Sequence, residues 1–192
     1  IGAQKAGTTS ARRNLSAHPQ IEMNHRSPDL KRYETHFFNR NWERGLEWYE
    51  GLFPETDAVL GAKSPDYLHS RKAHRRMHGT VPDAKLIVLL RHPVDRAYSA
   101  WNHLAHADRR LDPDTGKPIP FEDAFEQDLW RLRTQGVYIK HLRSLTRLFP
   151  REQIHIAISE RVRASLDASY REMFRFLGVD PVAPPPARAV GV

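Results

Sequence analysis

Five aliphatic residues in a row, Leu86-Ile87-Val88-Leu89-Leu90, are followed at once by Arg91-His92-Pro93. A strand that is apolar at every position offers no face to water, so it belongs inside a parallel sheet with cover on both sides. Proline at 93 suits the first turn of a helix, where its missing N–H is not needed. The run predicts a strand–turn–helix unit. A further strand is predicted at Ile154–Ile158, a short one at 58–62 and the stub of another at 1–3. Helical period marks 8–17, stopped by His18-Pro19, then 94–107, 121–132, 138–148 and 163–177, the last closed by Gly178. Apolar runs alternating with helical segments form the βαβ pattern. The fold expected is α/β, a three-layer α/β/α domain with a central parallel sheet and a phosphate-loop-like first turn.

A chain of 192 residues with 40% hydrophobic and 28% charged side chains suits a single globular domain. That domain is expected at 1–180, with a proline-rich tail at 181–192. Ile1 opens in mid-element, so further residues of the first strand are expected upstream, and no basic-apolar leader is visible. No run approaches the roughly 20 apolar residues of a membrane span. The absence of Cys excludes a disulfide framework, thiolate metal ligands and a cysteine nucleophile, and fits a reducing, cytoplasmic setting. A formal charge of +7 implies an anionic partner: nucleic acid, a membrane surface, or a small phosphorylated or sulfated ligand. The excess of Arg over Lys is equally a mark of GC-rich coding. Residues 108–120 lack periodicity and are rich in turn formers, so they read as a surface loop.

Two segments carry chemistry. Gly2-Ala3-Gln4-Lys5-Ala6-Gly7-Thr8-Thr9 is a glycine-bearing turn between a strand and a helix, where backbone N–H groups and the helix dipole can hold a phosphate. It departs from the nucleotide pattern G-x-x-x-x-G-K-[ST], because Thr8 stands where Lys is required and the cation sits at Lys5. The second segment, Arg91-His92-Pro93-Val94-Asp95-Arg96-Ala97-Tyr98-Ser99, ends the apolar strand in Arg, where a magnesium-dependent enzyme would commonly have Asp. Arg91 at the carboxyl edge of a parallel sheet suits a second phosphate, and Ser99 on the following helix could join it. Alternatively, Arg91 pairs with Asp95 and Ser99 is merely exposed. The eleven His form no metal spacing; His74 and His78 stand four apart but among cations and without an intervening Glu. Trp42, Trp48 and Tyr49 fall at helical spacing and are expected in the core.

Together the two segments resemble the sulfotransferases that use 3′-phosphoadenosine 5′-phosphosulfate. Tyr33-Glu34-Thr35-His36-Phe37-Phe38 is similar to the Lys-Glu-x-x-Phe-Phe segment of the heparan-sulfate type, and Lys63-Ser64-Pro65-Asp66-Tyr67 to its Lys-[Thr/Ser]-Pro-x-Tyr segment. Gly136-Val137-Tyr138, Ser159-Glu160-Arg161 and Phe176-Leu177-Gly178-Val179 also match, so the resemblance covers nearly the whole chain. It implies sulfuryl transfer to a hydroxyl, or an amine, of a small-molecule or carbohydrate acceptor, with 3′,5′-adenosine diphosphate as product and no metal required. By the same resemblance Lys5 stabilises the leaving phosphate, Ala6, Gly7, Thr8, Thr9 and Ser10 cradle the 5′-phosphate, and Arg91 and Ser99 hold the 3′-phosphate. Glu34, with a raised pKa, would be the general base, and His36 is its rival. Lys63 either reaches the sulfuryl group or is a surface residue before a turn. Tyr138 either lines the nucleotide or belongs to the core. Two features depart from the family: no glycine- and base-rich loop follows Leu177, where only Arg188 is basic, and Ser144-Leu145 stand near the position of a family Trp. A bacterial, cytoplasmic enzyme is expected. The alternatives are a phosphate-loop kinase or NTPase and a basic nucleic-acid-binding module, the latter lacking any recognition motif.

Overall fold

The computed structural model describes residues 1–25, 30, 33–107 and 111–183. The apolar run forms strand β3 (Leu86–Leu90) with all five residues buried, as its composition requires. It pairs in parallel with β4 (Ile154–Ile158), Leu86 opposite Ile154 and Leu90 opposite Ile158. Strand β2 (Val59–Gly61) pairs in parallel with β1 (Ile21–Met23), an element too short to announce itself by periodicity. A Cβ on Gly61 would stand 2.6 Å from Met23 Sδ, so the Met23 side chain lies in the space that a larger residue at 61 would take. The stub at 1–3 makes one bridge, Gly2 to Leu89, on the edge of β3 opposite β4. Among the described residues the parallel strands therefore form two pairs, with residues 1–3 set against β3.

The helices are α1 (Thr8–Leu15), α2 (Leu46–Glu50), α3 (Arg71–Thr80), α4 (Pro93–Asn102), α5 (Phe121–Glu126), α6 (Tyr138–Thr146), α7 (Ser159–Ala164) and α8 (Leu166–Leu177). A π-helical turn, His103–Ala107, extends α4 to the end the sequence predicts. Two expected helices are broken. The segment at 121–132 stops after α5 because Asp128 (φ 51), Trp130 (φ 53) and Arg131 (φ 60) are left-handed. The Asp128 carboxylate there accepts from the N–H groups of Arg133 (2.7 Å) and Thr134 (3.0 Å), a local alternative to helical bonding. The closing helix is two helices because Ser165 leaves the helical conformation, at φ −144 and ψ 68. Gly178 ends α8 in the left-handed conformation expected of it, at φ 85. In the loop, Asp112 folds a turn over Thr115, while residues 108–110 and the end of the tail, 184–192, lie outside the described residues.

The core surrounds β3 with Phe37, Phe149, Met173 and Phe174. Phe37 lies flat on Tyr49 (4.4 Å between centroids, 7°) and meets Trp42 at 5.1 Å, so the aromatic group at 42–49 packs as expected. His74 and His78 serve packing: His74 Nδ1 lies 3.0 Å from Ser144 Oγ, and His78 meets Phe149 edge-on at 5.4 Å. His69 lies 4.7 Å from the His141 ring, and both of its nitrogens are buried without a hydrogen-bond partner.

Burial pushes the His69 imidazole down to about 3 and that of His74 to about 4, helped at His69 by His141 and Arg96. The unfolded chain takes up protons at these rings near the ordinary value of 6.5, whereas the folded protein resists doing so until about 4 and 3. The stability contributed by these two neutral rings is thus complete above pH 6.5 and falls as pH drops below it. Melting at pH 7.5 and 4.5 is expected to give the lower Tm at 4.5, with a smaller drop in His69→Gln. An equal drop in that variant contradicts the assignment.

Candidate active site

The first segment folds as a tight loop. A Cβ on Gly2 would meet Thr8 Cγ2 at 2.9 Å and the Leu89 nitrogen at 3.1 Å, so glycine lets the loop lie against β3. Lys5 (φ 68) and Gly7 (φ 85) are both left-handed, and α1 begins directly after Gly7. Such turns gather N–H groups on one concave side, and the first turn of a helix adds donors that have no partner within the helix. Beside the Gly7 α-carbon the space is open. Thr8 is buried under the loop, Thr9 is exposed and Ser10 half-buried.

The ends of β3 and β4 pin this loop. Ser159, the first residue of α7, is buried and donates through Oγ to the Ala6 carbonyl at 2.6 Å. The next residue, Glu160, accepts the His92 N–H at 3.0 Å. Its carboxyl is held below the ordinary range: slight burial works against ionisation, but the His92 N–H and the charges of Arg163 and Arg91 outweigh it. Arg91 donates to the Lys5 carbonyl at 3.4 Å, and its own carbonyl accepts from the Tyr138 hydroxyl at 2.8 Å. The Arg91 Nε is buried with no hydrogen-bond partner. Tyr138 thus steadies the strand end. Asp95 stands 3.8 Å from His92, and Ser99 is half-buried on α4. Arg96, which the sequence groups with these residues, is fully buried instead and is held by the Leu132 carbonyl and Gln135. Ser159 and Glu160 stand out in the sequence only as part of a matching stretch; nothing there shows that they bind the loop and the Arg91 turn.

A second cluster lies alongside α1, where Arg12 stacks over the Tyr33 ring at 4.1 Å and bonds the Asn24 carbonyl at 2.9 Å. The Asn24 amide in turn donates to the Tyr33 carbonyl at 3.2 Å. The next residue, Glu34, is clasped by Lys63 on Oε1 and by His36 Nε2 at 3.2 Å on Oε2. These side chains are only 17%, 12% and 17% exposed, so Lys63 is no surface residue. The two segments that carry them are laced together. Thr35 Oγ1 meets the Tyr67 hydroxyl at 3.1 Å, the Phe38 N–H donates to that hydroxyl at 3.3 Å, and the His36 N–H donates to Ser64 Oγ at 3.2 Å. His36 is left-handed, at φ 47, a strained state for a residue with a side chain. Its carbonyl holds it there by accepting from Asn39 (3.3 Å), Arg40 (2.8 Å) and Asn41 (3.0 Å).

The sequence expectation of a raised Glu34 pKa is reversed. Burial does push the carboxyl up, but hydrogen bonds from His36 and Lys63, with their charges, bring it down to about 2. Glu34 is an ionised carboxylate at neutral pH. The expected base and its rival are thus in direct contact, and Lys63 completes the group. Asp66 and Arg40, joined by an ion pair of 2.6 Å beside His36, had no role in the sequence reading.

The chain matches known proteins over most of its length. The family model described as Sulfotransferase domain matches residues 1–184. Mouse bifunctional heparan sulfate N-deacetylase/N-sulfotransferase 3 is 37% identical over 196 aligned residues, covering 94% of this chain and 22% of the relative. Mouse heparan sulfate glucosamine 3-O-sulfotransferase 6 is 32% identical, covering 93% of this chain and 51% of the relative. The chain therefore spans about a fifth and about half of these relatives. The crystal structure of a sulfotransferase from Alicyclobacillus acidocaldarius aligns at TM-score 0.83 and 27% identity, covering all of this chain and 84% of that one. Mouse sulfotransferase SULT7A1, solved with PAP, aligns at TM-score 0.63 over 93% of this chain and 57% of that one, and at 15% identity it shares the fold. On its loop, its strand ends and these matches, the chain belongs to the sulfotransferase domain family.

Proposed function

We infer that this chain transfers a sulfuryl group from 3′-phosphoadenosine 5′-phosphosulfate to a hydroxyl, or an amine, of a carbohydrate or small-molecule acceptor. The observation that carries the reading is the half-buried Lys63–Glu34–His36 cluster, which follows directly on Tyr33, the ring over which Arg12 of the helix after the left-handed loop is stacked. The donor's phosphates find matching chemistry in the open space at Gly7 and the unpartnered Arg91 Nε. Lys5, Ala6, Gly7, Thr8, Thr9 and Ser10 hold the 5′-phosphate in this account, and Arg91 with Ser99 the 3′-phosphate.

The donor supplies the sulfur electrophile. The acceptor oxygen bonds to sulfur, the bond from sulfur to the bridging oxygen breaks, and that oxygen keeps the electron pair. Lys5 offsets the charge that builds on it, and the acceptor proton passes to Glu34. In the free protein Lys63 keeps Glu34 ionised and therefore a weak base. If Lys63 turns to the sulfuryl oxygens, Glu34 loses a cation and its proton affinity rises. The same movement would thus neutralise the sulfuryl group and activate the base. The names of the curated relatives favour a glycan acceptor, since both act on heparan sulfate.

Transfer from 35S-labelled donor to de-sulfated heparan fragments and to simple aryl alcohols tests the activity. Glu34→Gln is expected to lower kcat by about a hundredfold or more while the affinity for 3′,5′-adenosine diphosphate is unchanged. Arg91→Ala is expected to weaken that nucleotide by about tenfold or more. Full turnover in Glu34→Gln would move the base to His36.

A further inference from the structure

Position 66 is the one place that the Lys-[Thr/Ser]-Pro-x-Tyr pattern leaves open, and this chain puts Asp there. The short turn Pro65–His69 begins just after Lys63 and Ser64 and sets Asp66 beside the far end of the His36 ring. Asp66 Oδ2 stands 3.9 Å from His36 Nδ1, while Nε2 of the same ring stands 3.2 Å from Glu34 Oε2. Nδ1 is buried and has no hydrogen-bond partner. A small turn of the ring or carboxylate closes the gap to bonding distance. Asp66 is itself tethered, because Arg40 binds it at 2.6 Å and the Arg40 N–H donates to the His36 carbonyl at 2.8 Å. Arg40 is thus tied to both the Asp66 carboxylate and the His36 backbone. Each group neighbours the next in the order Lys63, Glu34, His36, Asp66, Arg40, with a carboxylate near each ring nitrogen.

The geometry points to Asp66 as a positioning residue that accepts from His36 Nδ1–H while Nε2–H donates to the Glu34 carboxylate, a pairing in which both ring nitrogens carry hydrogen. Its functional consequence rests on the sulfuryl-transfer reading; the contact itself does not. Glu34 takes one hydrogen bond on each oxygen. When Lys63 leaves Oε1, His36 is the contact that keeps the carboxylate from swinging. A ring held at both ends does this better than a ring free to rotate. Misplacing a catalytic group by an ångström can cost about a hundredfold, and a residue acting through another is expected to cost less, about tenfold in kcat.

The test uses Asp66→Asn, Asp66→Glu, His36→Ala and the double variant His36→Ala/Asp66→Asn. Long-range 1H–15N spectra of the histidine rings, recorded without donor, are expected to show the His36 Nδ1 resonance displaced in Asp66→Asn. An unmoved Nδ1 overturns the contact. In turnover, Asp66→Asn is expected to lower kcat about tenfold with donor KM and product affinity unchanged, Asp66→Glu to restore most of it, and the double variant to equal His36→Ala. A loss that multiplies with that of His36→Ala, or a rise in donor KM, overturns the positioning role. A wild-type protein that binds no 3′,5′-adenosine diphosphate sinks the sulfuryl-transfer reading, and with it the catalytic consequence. The Nδ1 resonance then still decides whether Asp66 holds the ring.

Discussion

A strand with no polar side chain can meet water only at its ends. That constraint on β3, buried at all five positions, drives the polar chemistry of the chain to the strand's carboxyl edge, where open α/β folds bind their ligands. Three consequences follow in order. Residues 1–3 lie against β3, and the loop they lead into needs glycine at position 2 to fit. The parallel partner β4 ends beside that loop, so Ser159 reaches the Ala6 carbonyl and Glu160 the His92 N–H. Arg91, the first residue beyond β3, is then fixed between the Lys5 carbonyl and Tyr138.

The second cluster obeys a different constraint. Taking Lys63 and Glu34 out of water is costly, and each is tolerated largely because the other is there. Removing one partner leaves a buried charge uncompensated, which makes this pair more than a surface ornament. Glu34 is held near 2 by Lys63 and His36 together, so its proton affinity depends on both contacts staying in place. The strained backbone at His36 fits the same picture, with the segment's own carbonyl and the Ser64 hydroxyl holding a conformation that an unsupported residue would leave.

Much of this was legible in the residues. The apolar runs marked β3 and β4 with their bounds, β3 buried at every position and β4 at Ile154 and Ala157. The same reading missed β1, whose three residues carry no period, and it ran the helix at 121–132 through Asp128, whose carboxylate binds the backbone ahead of it. The motifs brought out Glu34, His36 and Lys63 as candidates, but their contact is a tertiary fact, and so was the sign of the Glu34 shift. Burial alone would have raised that pKa; only the positions of Lys63 and His36 reverse it. Arg96 stands within the stretch that matches the family, yet it is fully buried and bonds Leu132 and Gln135, a use that the sequence does not show.

Calorimetric titration with 3′,5′-adenosine diphosphate, 5′-ADP and ATP, each with and without Mg²⁺, decides whether the loop and Arg91 hold a nucleotide bearing phosphate at both the 3′ and 5′ positions. Micromolar binding of 3′,5′-adenosine diphosphate, independent of metal and lost with the 3′-phosphate, is the expected result. Preference for ATP with Mg²⁺ would contradict it and return the chain to the kinase-like reading.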